Sequence, residues 1–335
     1  MKVVLDAMGG DHAPEVVVQG AIQAAQDYGS EIILVGPKDR VRAELSKGSA
    51  QGLPLSVVHA SQVVEMKEHP AAATKEKKDS SIVVGMRLVK EGKAAAFVSA
   101  GNTGAVMAGA LFYLGRLKGI KRPGLAAIYP TSRGPCLILD VGANTDCKPE
   151  YLHQFAIMGS IYMEKVLGIA NPRVGLLSNG EEETKGNRLV LQTHQLLKRT
   201  PSLNFIGNVE GKDVPAGMAD VVVCDGFDGN VVIKLSEGLA KSLMEIIKEE
   251  IKRNPLAIVG ALLARPAFKA VEKRLDYAEF GGAPLLGVNG VVIIGHGRSN
   301  AKAIKNAVRT AEAAVEGGML TSIKEGIGEK VNVPL

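Results

Sequence analysis

The chain has 335 residues, of which 46% are hydrophobic and 22% are charged, and its formal net charge is +5 at pH 7. These proportions are typical of a globular protein with a substantial core and exclude a disordered chain. Tryptophan is absent and aromatic residues make up only 4%, so neither base-stacking surfaces nor a general nucleic-acid binder is expected.

Cysteine content and the first residues predict a protein of the reducing cytoplasm. Only Cys136, Cys147 and Cys224 are present, without a CxxC pair, which argues against a disulfide framework and a structural zinc site. The apolar run 3–5 begins so near the first residue that no room remains for a signal peptide. The longest apolar run, 256–264, is too short to span a bilayer, so we expect a cytoplasmic protein that is peripherally associated with the inner face of the cell membrane.

Apolar runs alternate with helical patterns along most of the chain. Such uninterrupted runs are typical of strands that are buried on both faces of a parallel sheet. The predicted strands cover residues 3–5, 32–35, 55–58, 94–98, 125–129, 136–139, 173–177, 204–206, 221–224 and 291–294. The predicted helices cover residues 14–28, 38–46, 80–91, 104–114, 149–167, 185–198 and 299–316.

A turn signal at residues 130–135 separates two of these strands and predicts an antiparallel hairpin. No internal repeat and no low-complexity linker interrupts the alternation of strands and helices. We therefore predict a single catalytic α/β domain over residues 1–335, with three α/β/α layers around a mostly parallel central sheet.

One segment, 230–286, departs from this alternation and predicts a helical excursion from the sheet, most of it at about 240–286. Pro255 and Pro266 bracket a short apolar helix. A second amphipathic piece places Phe268, Val271 and Leu275 at helical spacing beside basic residues. The excursion is interpreted either as a dimer interface or packed subdomain, or as a surface that rests on anionic lipid, and a dimer allows both.

Five loops rich in glycine and asparagine follow predicted strands, and we call them elbows. They lie at residues 6–14, 99–104, 140–144, 178–180 and 224–230. Glycine allows backbone N–H groups to approach a ligand, and a helix that follows adds its positive end. Because loops after parallel strands gather at one edge of an open sheet, the elbows predict one shared cleft that holds an anion.

Lys185 and Asn230 each lie at a predicted helix start beside glycine. A cation is poorly placed at a helix N-terminus, so Lys185 is interpreted as an anion ligand. The alternative is a surface lysine paired with Glu181 or Glu182. Asn230 is interpreted as a ligand contact, and the alternative is an N-cap, a role that Asp228 could also fill.

Histidine and aspartate side chains in the same loops add further candidates. His12 and His296 are candidate general acids or bases, and His12 is preferred because it lies in the first elbow. Four aspartates are candidate metal ligands or turn-shaping residues: Asp6, Asp11, Asp140 and Asp225. The turn-shaping role is preferred for the last two, and neither a metal site nor a cofactor is predicted.

The motifs of several common enzyme classes are absent from the chain. The P-loop pattern GxxxxGK[ST], GxGxxG after a strand, HExxH and GxSxG do not occur. Covalent catalysis by serine or cysteine therefore has no support from a local motif.

Six segments together carry a resemblance to a known family: DAMGGDHAP, SAGNTGA, DVGAN, LLSNGEEETKGN, CDGFDGN and GGAPLLGVNG. In this order, over essentially the whole chain, they resemble the bacterial phosphate acyltransferases of phospholipid synthesis, the PlsX family. The resemblance implies transfer of a long-chain acyl group from acyl carrier protein to inorganic phosphate, and the acyl phosphate then serves a membrane-bound glycerol-phosphate acyltransferase. It also implies a homodimer without a nicotinamide cofactor, in a fold similar to isopropylmalate dehydrogenase and phosphotransacetylase. The family residues important for activity map onto Lys185 and Asn230.

Under this resemblance phosphate itself attacks the thioester, so the site needs donors for an anion and an oxyanion rather than a nucleophilic side chain. The predicted catalytic residues are Lys185, Asn230 and His12. The residues predicted to bind phosphate or substrate are Gly9, Gly10, Asp11, Gly101, Asn102, Thr103, Asn144, Asn179 and Gly229. The residues predicted to contact the acyl chain or the membrane are Leu256, Val259, Leu262 and Leu263. The residues predicted to dock the acidic carrier protein are Arg265, Lys269, Lys273 and Arg274.

Three other functions are compatible with the same residues. A phosphotransacetylase-like enzyme would perform the same chemistry with acyl-coenzyme A. A metal- and NAD-dependent decarboxylating dehydrogenase would use a similar fold. A non-catalytic peripheral membrane scaffold would bind lipid-synthesis partners without turnover.

Overall fold

The computed structural model describes residues 1–330, whose strands form one sheet of eleven strands. The ten predicted strands are confirmed, and one further strand joins them. The strands are β1 Lys2–Asp6, β2 Glu31–Gly36, β3 Leu55–His59, β4 Ala96–Ser99, β5 Gly124–Thr131, β6 Gly134–Leu139, β7 Arg173–Leu177, β8 Asn204–Val209, β9 Val221–Val223, β10 Ala283–Leu286 and β11 Val291–Ile294. Their order across the sheet is β3-β2-β1-β4-β11-β10-β5-β6-β9-β7-β8.

Helices cover both faces of this sheet, and several begin directly after a side chain that caps the first turn. The caps Ser80, Asn102, Asn187 and Asn300 each accept a hydrogen bond from a backbone N–H of the helix. The helices are α1 Glu15–Tyr28, α2 Lys38–Lys47, α3 Pro70–Glu76, α4 Ser81–Lys90, α5 Thr103–Gly109, α6 Pro149–Lys165, α7 Arg188–Lys198, α8 Asp213–Ala216, α9 Gly226–Arg253, α10 Pro255–Leu263, α11 Arg265–Leu275, α12 Ala301–Glu316 and α13 Met319–Lys330.

The core consists of two apolar layers, one on each face of the sheet. Alternate residues of a strand point to opposite faces, so Val3 and Leu5 pack in one layer and Val4 packs in the other. The first layer packs against α1, α6, α7, α12 and α13, and the second packs against α4, α5 and the start of α9. The predicted three-layer α/β/α architecture with a mostly parallel sheet is therefore confirmed.

The sheet changes direction in its middle, and of the three antiparallel contacts the sequence predicted only the one between β5 and β6. Seven strand pairs are parallel, but β11 with β10, β10 with β5, and β5 with β6 are antiparallel. The predicted hairpin at residues 130–135 is confirmed as the connection from β5 to β6. As a result, β1, β4 and β11 run in one direction, whereas β6, β9 and β7 run in the other.

The predicted helical excursion is formed by the outer part of α9 together with α10 and α11. Its predicted end at Leu286 is wrong, because Ala283–Leu286 is strand β10 of the central sheet. The apolar helix between the two prolines is present as Pro255–Leu263, and none of its side chains is buried. No helix within residues 1–330 combines the length and the apolar character that are needed to cross a membrane.

Candidate active site

The loops after β1, β4 and β11, here called the first loop group, are held together by the buried carboxylate of Asp6. This carboxylate accepts hydrogen bonds from the Met8 N–H at 3.0 Å and from Ser99 Oγ at 2.7 Å. The Asp11 N–H donates to the Gly297 carbonyl oxygen at 2.8 Å, which ties the first elbow to the loop after β11. Burial raises the pKa of Asp6 above its usual value, although its hydrogen bonds offset part of that rise.

The loops of this group lie so close together that Gly9 cannot be replaced by a residue with a side chain, and the backbone at Gly10 favours glycine. A Cβ at Gly9 would lie 2.7 Å from the Gly101 nitrogen, and Gly10 has a φ of 109°. The Gly101 N–H donates to Ser99 Oγ at 3.0 Å, and the Gly9 N–H donates to the Asp6 carbonyl oxygen at 3.3 Å. Gly9 and Gly101 were predicted to bind phosphate, but in the structure both N–H groups donate to acceptors within the protein.

Asn102, another predicted phosphate ligand, uses its side chain to organise a neighbouring loop. Its Oδ1 caps α5 by accepting from the Ala105 N–H, and its Nδ2 lies 3.1–3.4 Å from the carbonyl oxygens of Glu65, Met66 and Glu68. Thr103, the first residue of α5, is exposed. Asn102 therefore positions the loop at residues 65–68 rather than presenting its amide to a ligand.

The loops after β6, β9 and β7 form a second loop group, and Asp140 organises the first of them. Its fully buried carboxylate accepts from the N–H groups of Leu125, Gly142, Ala143 and Asn144 and from Asn144 Nδ2, at 2.7–3.2 Å. Burial raises the pKa of Asp140, and the surrounding donors lower it only in part. The preferred turn-shaping role of Asp140 is confirmed, and Asn144 Nδ2 is further engaged by the Pro123 carbonyl oxygen at 2.7 Å.

Asp225 and Gly229 bring the start of α9 against this loop. Asp225, not Asn230 or Asp228, is the N-cap, because its carboxylate accepts from the Asp228 N–H at 2.9 Å. A Cβ at Gly229 would lie 1.9 Å from the Asp140 carbonyl oxygen, so this glycine is required by packing. Asn230, in the first turns of α9, donates from Nδ2 to the Val141 carbonyl oxygen at 3.0 Å.

Lys185 lies in the loop before α7 rather than at a helix start, which corrects the sequence prediction. Gly186 has a φ of 106° and Asn187 caps the helix that begins at Arg188, so the chain turns between Lys185 and the helix. The Lys185 side chain folds over Gly180, where a Cβ would lie 2.7 Å from Lys185 Cγ. A shallow polar cleft of about 440 Å³ surrounds it, lined by Asn179, Gly180, Glu181, Glu182, Lys185 and Glu210.

The ammonium group of Lys185 is available to an anion. Glu181 pairs with Lys212 at 3.2 Å, and no carboxylate within residues 1–330 forms an ion pair with Lys185. The alternative, an ion pair of Lys185 with Glu181 or Glu182, is therefore absent from residues 1–330. Lys185 is therefore an exposed cation in the loop between β7 and α7 that can bind phosphate, in a cleft that Glu181, Glu182 and Glu210 also line.

The carboxylates of Glu181, Glu210 and Asp213 lie within 4.8 Å of one another, the spacing of a possible metal site. However, Lys212 Nζ pairs with both glutamates, and Asp213 Oδ2 accepts from the Glu210 N–H at 2.8 Å. An ammonium group thus already pairs with two of the three carboxylates, and we assign no metal to the cluster.

The two loop groups follow strands of opposite direction, so they do not share one edge of the sheet as predicted. Residues of both groups nevertheless line one apolar cavity of about 300 Å³, here called the sheet cleft. Thr103 of the first group and Val141 of the second group both line it. The sheet cleft lies between α9 and strands β5, β10 and β11, and it is where the two groups meet.

Histidines occupy different positions relative to this cleft. His12, the preferred candidate, is exposed in the turn before α1. His296 lines both the sheet cleft and a neighbouring open groove that is rich in charged side chains. His296 Nδ1 accepts from the Arg298 N–H at 3.1 Å, which assigns the proton of a neutral ring to Nε2.

Cleft-lining residues that sequence reasoning missed include Tyr129, Ser236, Glu237 and Phe280, of which only Tyr129 lies in a strand with a detectable apolar pattern.

Thiol chemistry is disfavoured in all three cysteines. Cys136 and Cys224 are buried and Cys147 is half-buried. Burial raises the pKa of Cys136 and of Cys147 to about 12, so both are thiols at neutral pH. The structure agrees with the sequence in giving no activated cysteine for an acyl-enzyme intermediate.

Comparisons with known proteins identify the family. A family model described as "Fatty acid synthesis protein" matches residues 1–321. A phosphate acyltransferase of Heliobacterium modesticaldum is 58% identical over 332 residues, which cover 99% of each chain. A phosphate acyltransferase of Pelotomaculum thermopropionicum is 55% identical over 327 residues, covering 98% of this chain and 95% of the relative. The chain belongs to the phosphate acyltransferase family.

Membership of the phosphate acyltransferase family makes the chain an acyltransferase, and it supports acyl transfer to phosphate in fatty acid and phospholipid synthesis. It decides against the dehydrogenase and the non-catalytic scaffold. A solved phosphotransacetylase from Streptococcus pyogenes is similar in fold, with a TM-score of 0.66 and 20% identity, and the match covers 94% of both chains. At this identity the likeness establishes the fold alone.

Proposed function

We propose that this phosphate acyltransferase transfers a long-chain acyl group from acyl carrier protein to inorganic phosphate and releases acyl phosphate. The observation that supports it most directly is the apolar sheet cleft between two polar loop groups, within a chain of this family. A phosphate oxygen attacks the thioester carbonyl carbon, the carbon–sulfur bond breaks, and the carrier-protein thiol leaves with a proton.

In this proposal Lys185 neutralises phosphate or the developing oxyanion, and Asn230 donates a hydrogen bond to one of them. The Asn230 amide has two N–H donors, and the bond to Val141 uses one of them. Holding both reactants in attack geometry contributes roughly 7–11 kcal/mol, and one preorganised donor contributes about 3–4 kcal/mol. Neither term requires a metal ion or a nucleophilic side chain.

The testing experiment measures release of free carrier-protein thiol from palmitoyl-acyl carrier protein, with and without inorganic phosphate. We expect phosphate-dependent release and acyl phosphate as the product. Palmitoyl-coenzyme A is tested in parallel, and a higher kcat/KM with that donor would replace the proposal with the phosphotransacetylase-like alternative. Release that does not depend on phosphate would overturn the proposed acceptor.

The acidic carrier protein is proposed to dock at the charged groove beside the sheet cleft. Lys269 and Lys273 line this groove, together with Lys241, and its volume is about 1050 Å³. Arg274, also predicted for docking, instead directs its guanidinium toward the carbonyl oxygens of Thr131 and Ser132 at 3.4 and 3.5 Å. Replacing Lys269 and Lys273 by Glu is expected to raise KM for the acyl-carrier substrate. The matched changes Lys118→Glu and Lys324→Glu, on other exposed surfaces, are expected to leave this KM unchanged.

Helix α10 is proposed as the contact with the membrane surface, where the product reaches a membrane-bound glycerol-phosphate acyltransferase. Its side chains Leu256 and Leu263 are 82% and 79% exposed, and Leu262 is 67% exposed. Basic residues flank it, since Lys252 and Arg253 end α9 and Arg265 begins α11. An apolar face with basic flanks suits the headgroup region of anionic lipid, which supports a cytoplasmic, peripherally bound enzyme.

A homodimer is proposed from an exposed apolar stripe on α9. The stripe repeats every three or four residues, so it lies on one side of the helix. Its members are Val231, Leu235, Leu239, Leu243, Ile246 and Ile247, each 39–68% exposed. Packing of this stripe against a second copy would bury it, and sedimentation equilibrium tests this with Leu235→Glu and Leu239→Glu, which should give monomers.

A further inference from the structure

We infer that the sheet cleft holds the acyl chain of the donor, and that Ala127 and Phe280 set the chain length that the enzyme accepts. This inference rests on the proposed function and adds the position of the chain within the molecule. It also reassigns the acyl-chain contact that the sequence predicted for α10.

The lining of the sheet cleft suits a hydrocarbon chain. Its apolar side chains come from strands β5 and β11, from the loop after β6, from α9 and from the turn before β10: Leu125, Ala127, Val141, Ile233, Phe280 and Ile294. Its volume of about 300 Å³ lies at the lower end of the range of small-molecule sites. Each methylene group that enters such a site gains about 0.8 kcal/mol, or roughly fourfold in affinity.

The sheet cleft lies beside both the second loop group and the charged groove. Val141, whose carbonyl oxygen is bound by Asn230, lines it, and so do Thr103 and His296. The cleft and the charged groove share Glu237, Ala240 and His296 in their linings. A chain in the cleft is therefore next to Asn230 and to the groove that is proposed for the carrier protein.

Helix α10 offers no comparable enclosure for the chain. Leu256 and Leu263 are 82% and 79% exposed, and none of the α10 side chains is buried. A chain laid on this surface would keep much of its area in water, whereas the sheet cleft has protein on several sides. The exposed face of α10 therefore remains for lipid, and the acyl chain occupies the sheet cleft.

Ala127 and Phe280 occupy the positions where side-chain size controls this space. Leu125, Ala127 and Tyr129 alternate along β5 and line the same wall, with the smallest side chain in the middle. Tyr129 Oη lies 3.2 Å from Ser236 Oγ, and this hydrogen bond joins β5 to α9 across the cleft. This bond holds β5 and α9 at a fixed distance, so the cleft cannot widen to accommodate a larger side chain. Ala127→Leu is therefore expected to fill part of the cleft, and Phe280→Ala is expected to enlarge it.

The experiment measures kcat/KM for acyl-carrier donors with chains of 8 to 18 carbons. Ala127→Leu is expected to lower the ratio of the 16-carbon to the 10-carbon donor at least tenfold, because several methylene groups lose their place. Phe280→Ala is expected to shift the optimum toward longer chains. Shifts in opposite directions cannot result from a loss of folded protein. The matched control is Ala43→Leu on the exposed side of α2, which should leave the profile unchanged.

The outcomes separate this inference from the proposed function. If the unmodified enzyme releases thiol with phosphate but both variants keep its chain-length profile, the sheet cleft does not hold the chain. If the unmodified enzyme releases no thiol, the proposed function fails, and binding of the fluorescent fatty acid cis-parinaric acid then tests the cleft alone. Weaker binding to Ala127→Leu than to Ala43→Leu would support the cleft, and equal binding would overturn it.

Discussion

The side-chain amide of Asn230 donates a hydrogen bond of 3.0 Å to the carbonyl oxygen of Val141. This bond joins α9 to the loop after β6 and uses one of the two N–H donors of the amide. We expect Asn230→Ala to lower kcat about 100- to 1000-fold, as removal of one oxyanion donor does elsewhere. Steady-state thiol release measures the effect. A variant with more than a tenth of normal kcat would show that Asn230 acts only in packing.

Lys185 is expected to be essential for turnover and nearly irrelevant to stability. It is exposed and forms no ion pair within residues 1–330, so Lys185→Ala removes charge from the site without breaking a structural contact. Turnover should fall by at least 100-fold, while the melting temperature changes little. Lys212→Ala, in the same surface region, is the matched control, because Lys212 pairs with Glu181 and Glu210 and is expected to retain activity.

Gly229 should tolerate no side chain, in contrast to another glycine of the same helix. A Cβ at Gly229 would lie 1.9 Å from the Asp140 carbonyl oxygen, so Gly229→Ala must displace α9 or the loop after β6. We expect a loss of about 2–4 kcal/mol in the free energy of unfolding. At Gly238 a Cβ meets no atom within 4 Å, and Gly238→Ala should instead stabilise by roughly 0.5–1 kcal/mol. Urea unfolding compares the two, and equal effects would contradict the packing role.

The ion pair of Arg173 with Asp220 predicts a stability change in acid. Burial alone would raise the pKa of Asp220, but two guanidinium hydrogen bonds and one backbone N–H bond from Arg173 lower it below the usual value. A carboxylate with a lowered folded-state pKa contributes stability above its unfolded-state pKa, and the contribution is lost as pH falls through the folded-state value. Asp220→Asn should therefore cost about 1–3 kcal/mol at pH 7 and progressively less below about pH 4. A cost that does not depend on pH would assign the effect to packing.

Helix α10 is expected to carry the membrane contact. Replacing Leu262 and Leu263 by Glu puts two charges on an exposed apolar surface, so binding to phosphatidylglycerol-containing vesicles should be lost while the oligomeric state is kept. Co-sedimentation with vesicles measures binding. The control changes Leu167→Glu and Leu191→Glu alter two other exposed leucines and should leave binding intact. Retained binding by the α10 variant would remove the lipid role.

Much of the fold could be predicted because buried parallel strands leave continuous apolar runs. Strand β10 was missed, since its four residues follow Gly281 and Gly282 and lie at the end of a segment that reads as helical. Helix α13 was missed because Gly326 and Gly328 weaken its pattern. Apart from the hairpin at residues 130–135, direction within the sheet was not predicted, because an apolar run carries no information about which way a strand runs.

The candidate site was predictable only in part. Asn and Gly beside strand ends identified both loop groups, but the pattern could not distinguish ligand contacts from internal hydrogen bonds. Asn102 and Asn144 illustrate this, since both side chains bind backbone groups within the chain. The lining of the sheet cleft comes from widely separated parts of the chain, and only the fold brings Ala127 and Phe280 to one space.

The position of β10 and β11 between β4 and β5 affects how the protein folds while it is being synthesised. The ribosome delivers β4 and β5 more than 150 residues before their partners at residues 283–294, so both strands have an open side throughout much of synthesis. Open strand sides are sites of pairing with other chains. A nascent chain stopped before residue 283 should therefore depend on chaperones and aggregate without them, even though most of its sheet is already encoded.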